Sequence, residues 1–117
     1  MSQLTELTKL VNDFRELRDW RQFHTPKDLA LSLSLEAGEV LEHFQWKTRE
    51  QVQEYLRGAG KNELKKEMAD VLIYLLYLAS DLDIDLDEAV RGKLHEQALK
   101  YPVEKSRGRA TKYTELE

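Results

Sequence analysis

The sequence predicts an all-α protein, an antiparallel four-helix bundle with one short extra helix. Three observations predict it. Apolar residues recur at helical spacing along most of the chain, and no β-branched run alternates with polar residues. Glycine and proline are scarce, five and two in 117 residues, so little interrupts the helices. The breaks that do occur are followed by residues that cap helix N-termini. The length suits a single domain, residues 1–117, with a modest core.

Leu4, Leu7, Val11, Phe14 and Leu17 make an amphipathic first helix over residues 3–18. The stretch "DWRQFHTP" breaks the pattern as an aromatic-rich loop. Thr25 with Asp28 reads as a capping box, and Pro26 suits the first helical position. A second helix runs from there to about Gln45, with Leu29, Leu33, Ala37, Val40, Leu41 and Phe44 on its apolar face. Thr48 with Gln51 opens a short helix that stops at "GAG". Asn62 is placed to cap a third long helix, which runs to about Ser80. Asp85 with Glu88 opens a fourth, which Tyr101-Pro102 ends near Lys100. The polar tail from about residue 101 reads as mostly irregular.

Composition excludes several classes. With no cysteine, disulfides and thiolate metal sites are ruled out, and a reducing compartment fits. A net charge of −4 argues against a nucleic acid polymer as partner, since binders of the phosphate backbone are usually basic. The polar N-terminus does not read as a signal peptide. The apolar run "MADVLIYLLYLAS" is too short to span a bilayer and contains Asp70. A cytoplasmic protein without membrane contact is expected.

The acids carry the functional signal. On a wheel of roughly 100° per residue, Glu36 lies at the edge of the second helix's apolar face and Glu39 just beyond it. Glu42 falls farther out, on the solvated side. The third helix is apolar nearly all round from Met68 to Ala79. Its one polar stripe is Glu67, Asp70 and the hydroxyls of Tyr74 and Tyr77. A bare carboxylate on such a helix is costly, so something must neutralise Asp70. Lysines or arginines are one answer. The other is a metal. E-x-x-E on one helix and E-x-x-D on the next project four carboxylates that converge if the helices pack antiparallel. Oxygen-only ligation suits Mg²⁺ or Mn²⁺, hard ions that also bind phosphates.

"EAGEVLEHFQW" followed by "LKKEMADVLIYLLYLA" resembles the E-x-x-E … E-x-x-D signature of the all-α, MazG-like nucleotide pyrophosphohydrolases, closest to their dCTP pyrophosphatase branch. The resemblance extends to "RDWRQFHTPKDLALSLSLEAGEV" and "KYPVEKSRGRATKYTEL", residues 18 to 114 in all. It implies an Mg²⁺-dependent enzyme that cuts a nucleoside triphosphate to monophosphate and pyrophosphate. Matched residue by residue, it implies metal ligands at Glu36, Glu39, Glu67 and Asp70, with Glu36 or Glu39 activating the attacking water. It implies a nucleotide pocket shaped by Trp20, Arg21, Gln22, Phe23, His24, Trp46 and Tyr74. Arg107 or Lys112 would reach the triphosphate. In that branch the last helix carries Lys and, four residues on, Asn; here Lys93 is followed by Gln97, which leaves the choice of base open. The resemblance also implies a homotetramer, a dimer of dimers. The all-round apolar third helix points the same way, because three other helices can hardly cover it.

Other residues have plainer readings. Trp20, Phe23 and His24 plug a core or stack on a base. His24 lacks a second histidine at metal-ligand spacing, and His43 and His95 read as surface residues. "DLDIDLDE" is no calcium loop, with Leu86 where glycine is needed and Gly92 where the final glutamate belongs. No Walker loop and no Ser-His-Asp set is present. Two rival functions remain. A non-catalytic helical module would pair Asp70 with a basic residue and need no metal. A di-iron bundle would need Glu-x-x-His, which is absent.

Overall fold

The computed structural model describes residues 2–117. It is helical throughout, with no strand among the described residues. The elements are α1 (Gln3–Leu17), a 3₁₀ turn (Arg21–Phe23), α2 (Pro26–Glu42), α3 (Arg49–Arg57) and α4 (Gly60–Asp81). Then follow α5 (Leu86–Lys100), α6 (Val103–Ser106) and a 3₁₀ turn (Tyr113–Glu115). No described helix is long and apolar enough to cross a membrane.

The chain divides after Asp83 into two compact units. The first holds α1 to α4. Its main pair is α2 on α4, and α1 and α3 also pack on α4. The α2–α4 pair is antiparallel. His24, just before α2, lies against Tyr77; Glu36 meets Asp70 and Glu67; His43, just past α2, reaches back to Glu67. Leu29, Leu76, Tyr77 and Ala79 form the small buried core. The second unit, Ile84–Glu117, holds α5, α6 and the tail.

Three of the expected caps form. Thr25 accepts the Asp28 amide, Asp85 accepts the Glu88 amide, and Thr48 with Gln51 makes a complete capping box. Three expectations are corrected. Asn62 does not cap the third long helix: α4 starts at Gly60 with Ala59 before it, already in helical conformation. Gly60 is buried flush against the Tyr55 ring, a contact only a residue without Cβ permits, and this draws the chain into helix early. α2 stops at Glu42, not Gln45, and the next residues form turns ending at Trp46, whose φ is 68°. The tail is mostly irregular, as the sequence predicts, with two short pieces of helix. These are α6 and the Tyr113–Glu115 turn, where Tyr113 meets Tyr101 edge to face and lies under Lys100. Ala37 and Leu41, expected on the apolar face of α2, are exposed in the single chain.

Candidate active site

The polar stripe of α4 faces α2. Glu36, Glu67 and Asp70 each offer a carboxylate oxygen, and these atoms lie within 4.8 Å of one another. Each of the three is half-buried. Glu39 is exposed and stands outside that trio, near enough to raise the cost of ionising both Glu36 and Glu67. Glu42 is exposed, as its wheel position predicts. Among the described residues, no lysine or arginine pairs with any of the four acids. Their one basic neighbour is His43, whose Nε2 is 3.9 Å from Glu67.

Crowding like charges raises the cost of ionisation. The Glu36 carboxyl is pushed up to about 7, first by burial, then by Glu39, Asp70 and Glu67. Glu67 is also raised, chiefly by the neighbouring Glu39 carboxyl. One oxygen of Glu36, Oε2, is buried without any partner. A buried carboxylate oxygen with no donor demands a proton or a cation. Four carboxylates, none answered by a lysine or arginine, fit a hard divalent cation. A cleft of about 200 Å³ opens beside them, lined by Glu39, Glu42, His43, Lys47, Tyr55 and Glu67.

The aromatic loop divides. Trp20 packs edge-on against Phe14 of α1, with Arg18 over both rings. Arg21 is held by Glu16 and Asp81, and Gln22 turns back onto Asp19. Phe23 is largely exposed. His24 alone joins the α4 stripe, its ring tilted on Tyr77, which in turn meets Tyr74. Trp46 projects almost freely, 91% exposed. Lys93, Gln97, Arg107 and Lys112 belong to the second unit. There Lys93 approaches Glu96 at 3.7 Å, Gln97 is half-buried, and Arg107 and Lys112 are exposed.

Sequence reasoning missed three residues. His43 is no surface residue: its Nδ1 bonds the Tyr55 hydroxyl while Nε2 faces Glu67. It stands four residues after Glu39, which marks its face, but nothing local names Tyr55 as its partner. Arg15 was also missed. It is fully buried, and its signal was a charged residue four positions after Val11 on the apolar stripe of α1.

The MazG-like family model matches residues 31–116, most of the chain and all four acids. The chain belongs to the MazG-like family. This MazG-like chain is 42% identical to rat dCTP pyrophosphatase 1 over 114 residues, spanning 97% of this chain and 67% of the rat protein. The human dCTP pyrophosphatase 1 is 40% identical over the same span. A solved pyrophosphatase of Archaeoglobus fulgidus superposes on the MazG-like chain with a TM-score of 0.81 and 42% identity, covering 87% of this chain and 94% of that one.

Proposed function

We propose that this chain is a nucleoside triphosphate pyrophosphohydrolase that acts in the cytoplasm to cleanse the nucleotide pool. Deoxycytidine triphosphate or a close relative is the preferred substrate, and the dCTP pyrophosphatase relatives support that choice. The observation that carries the reading is the cluster of four acids between α2 and α4 that no lysine or arginine answers. A purely structural helical module would have paired them.

Glu36, Glu67 and Asp70, with Glu39 adjoining, would hold Mg²⁺, or Mn²⁺ in its place. When bound, the cation supplies positive charge against the triphosphate. The chain's own residues do the rest. Glu39 is exposed and outside the tight trio, so it is the carboxylate we assign to take the proton of a water. That water's oxygen bonds to the α-phosphorus, the bond from the α-phosphorus to its bridging oxygen breaks, and pyrophosphate leaves. Tyr74 and His24 line the stripe that continues from Asp70, and Trp46, at the other end of α2, offers a free aromatic face for a base held at a partner subunit's site. We include a homotetrameric assembly in the reading.

The test is incubation with each ribonucleoside and deoxynucleoside triphosphate and Mg²⁺, with products resolved by ion-exchange chromatography. Monophosphate plus pyrophosphate is expected. Diphosphate plus orthophosphate would mean attack at another phosphorus and would end the reading.

A further inference from the structure

We infer that Arg15 is a positioning residue. It fixes His24 as the tautomer with its proton on Nε2, so that His24 offers the substrate an uncharged hydrogen-bond donor. This rests on the nucleotide-hydrolase reading for its substrate, but the geometry behind it is independent of that reading.

A guanidinium has five N–H donors and no acceptor. Arg15 is fully buried, and all five donors are taken. Nε donates to Asn12 Oδ1 at 3.0 Å. One terminal nitrogen donates to Asn12 Oδ1 at 2.7 Å and to Asp81 Oδ1. The other donates to Asp81 Oδ2 at 3.0 Å and to His24 Nδ1 at 3.3 Å. Asn12 cannot turn away, because its amide donates to Ser80 Oγ at 3.0 Å. The guanidinium also lies 4.5 Å over the Tyr77 ring. It is therefore held on every side, with one N–H aimed at Nδ1.

Arginine can only donate, so Nδ1 must accept. A neutral imidazole that accepts at Nδ1 carries its proton on Nε2. An imidazolium would set two donors and two positive charges against each other. Four groups act on His24: Arg15 from α1, Asp28 from α2, and Tyr77 and Asp81 from α4. Burial and then Arg15 lower the His24 pKa, and Asp81 and Asp28 oppose them more weakly. No protein group meets Nε2 among the described hydrogen bonds.

The placement says what this donor is for. His24 lies on Tyr77, two helical turns from Asp70 along α4, or about 10 Å of helix. Tyr74 lies between them. A triphosphate whose α-phosphate sits at the acids would bring its nucleoside end toward His24. An uncharged N–H there suits a neutral acceptor, such as a base carbonyl, a ring nitrogen or a sugar oxygen. It adds no charge to grip phosphate.

Long-range proton–nitrogen NMR on the full chain with ¹⁵N-labelled histidine tests this directly, without substrate. The His24 signals are identified by their loss in His24→Asn. At neutral pH a protonated Nε2 and a bare Nδ1 are expected. A protonated Nδ1, or an imidazolium, overturns the inference. Arg15→Gln replaces a pure donor with an amide that also accepts. It should release the tautomer and raise KM for dCTP roughly three- to tenfold, the worth of one uncharged hydrogen bond, with kcat unchanged. A folded Arg15→Gln protein with unaltered KM, or with kcat lowered as much as KM is raised, also overturns it. If the native protein cleaves no triphosphate, the hydrolase reading fails while the tautomer result stands by itself.

Discussion

Glu36 has three other carboxylates around it and no lysine or arginine beside it. Without a cation its pKa rises from an ordinary 4.5 to about 7. The folded chain then keeps a proton across that window that the unfolded chain has released. The group's contribution to stability is fully present below 4.5 and is lost as pH rises through about 7. In chelator, the urea midpoint should fall across this window, and Glu36→Gln should flatten that fall. Mg²⁺ competes with the proton, so its stabilising effect should grow with pH. Asp70→Asn should abolish that effect; a native midpoint indifferent to Mg²⁺ would remove the cation from the site. Trp46 makes the opposite case, a residue that stabilises nothing. Its φ of 68° costs about 1–2 kcal/mol in any residue but glycine, and its indole is 91% exposed. Trp46→Gly should leave the urea midpoint unchanged or raised. Calorimetry with a non-hydrolysable dCTP analogue should show binding weakened by about 1–3 kcal/mol. Full affinity in that variant would exclude base stacking by Trp46. The acids were legible in the sequence because their spacing sets them on the facing stripes of two long helices. The loop was not. Trp20, Arg21, Gln22, Phe23 and His24 look alike as ligands, and only tertiary partners on α1 and α4 separate His24 from the rest.

One close approach, of Gly60 to the Tyr55 ring, joins α4 to α3. A Cβ added to Gly60 would lie 1.9 Å from two carbons of the Tyr55 ring. The ring cannot simply swing aside, because its hydroxyl is bonded to His43 and Lys47 sits 4.6 Å from its centroid. Gly60→Ala should therefore destabilise the protein by about 1–3 kcal/mol, as overpacking does. By shifting Tyr55 it should also loosen His43 beside Glu67. Gly58→Ala is the control, since its nearest neighbour would be 3.8 Å away. Equal urea midpoints for the two variants would show that the Tyr55 contact does not matter. The same contact explains what the sequence hid. Caps at Thr25, Thr48 and Asp85 are local, three residues deep, and could be read in the chain. The start of α4 depends on a ring from α3, so Asn62 looked like the cap and was not. The tail's turns likewise depend on Tyr113 meeting Tyr101, a contact twelve residues long that no local pattern announces.

The single chain exposes large apolar side chains on several helices. The surplus lies only partly where the sequence put it. On α4, Leu76 is buried and Ile73, Leu75 and Leu78 are half-buried, while Met68 and Leu72 remain exposed, so part of the expected uncovered side is there. Further exposed residues lie on α1, at Leu10 and Leu17, and on α2, at Leu31 and Leu35, each more than half exposed. Patches of this kind mark interfaces. Closed symmetry needs only one self-complementary surface for a dimer; a dimer of dimers needs a second, distinct one. We propose that the apolar stripes on α1 and α2 supply the two. A homotetramer in light scattering is therefore expected, with a dimer as the next simplest assembly. Leu10→Lys and Leu35→Lys should each lower the mass, because each places a charge in one of the two surfaces while leaving the acid cluster untouched. Activity should fall with assembly if the tetramer is the functional form. A fully active native monomer at micromolar concentration would refute the expectation, and the leucines of α1 and α2 would then need another partner.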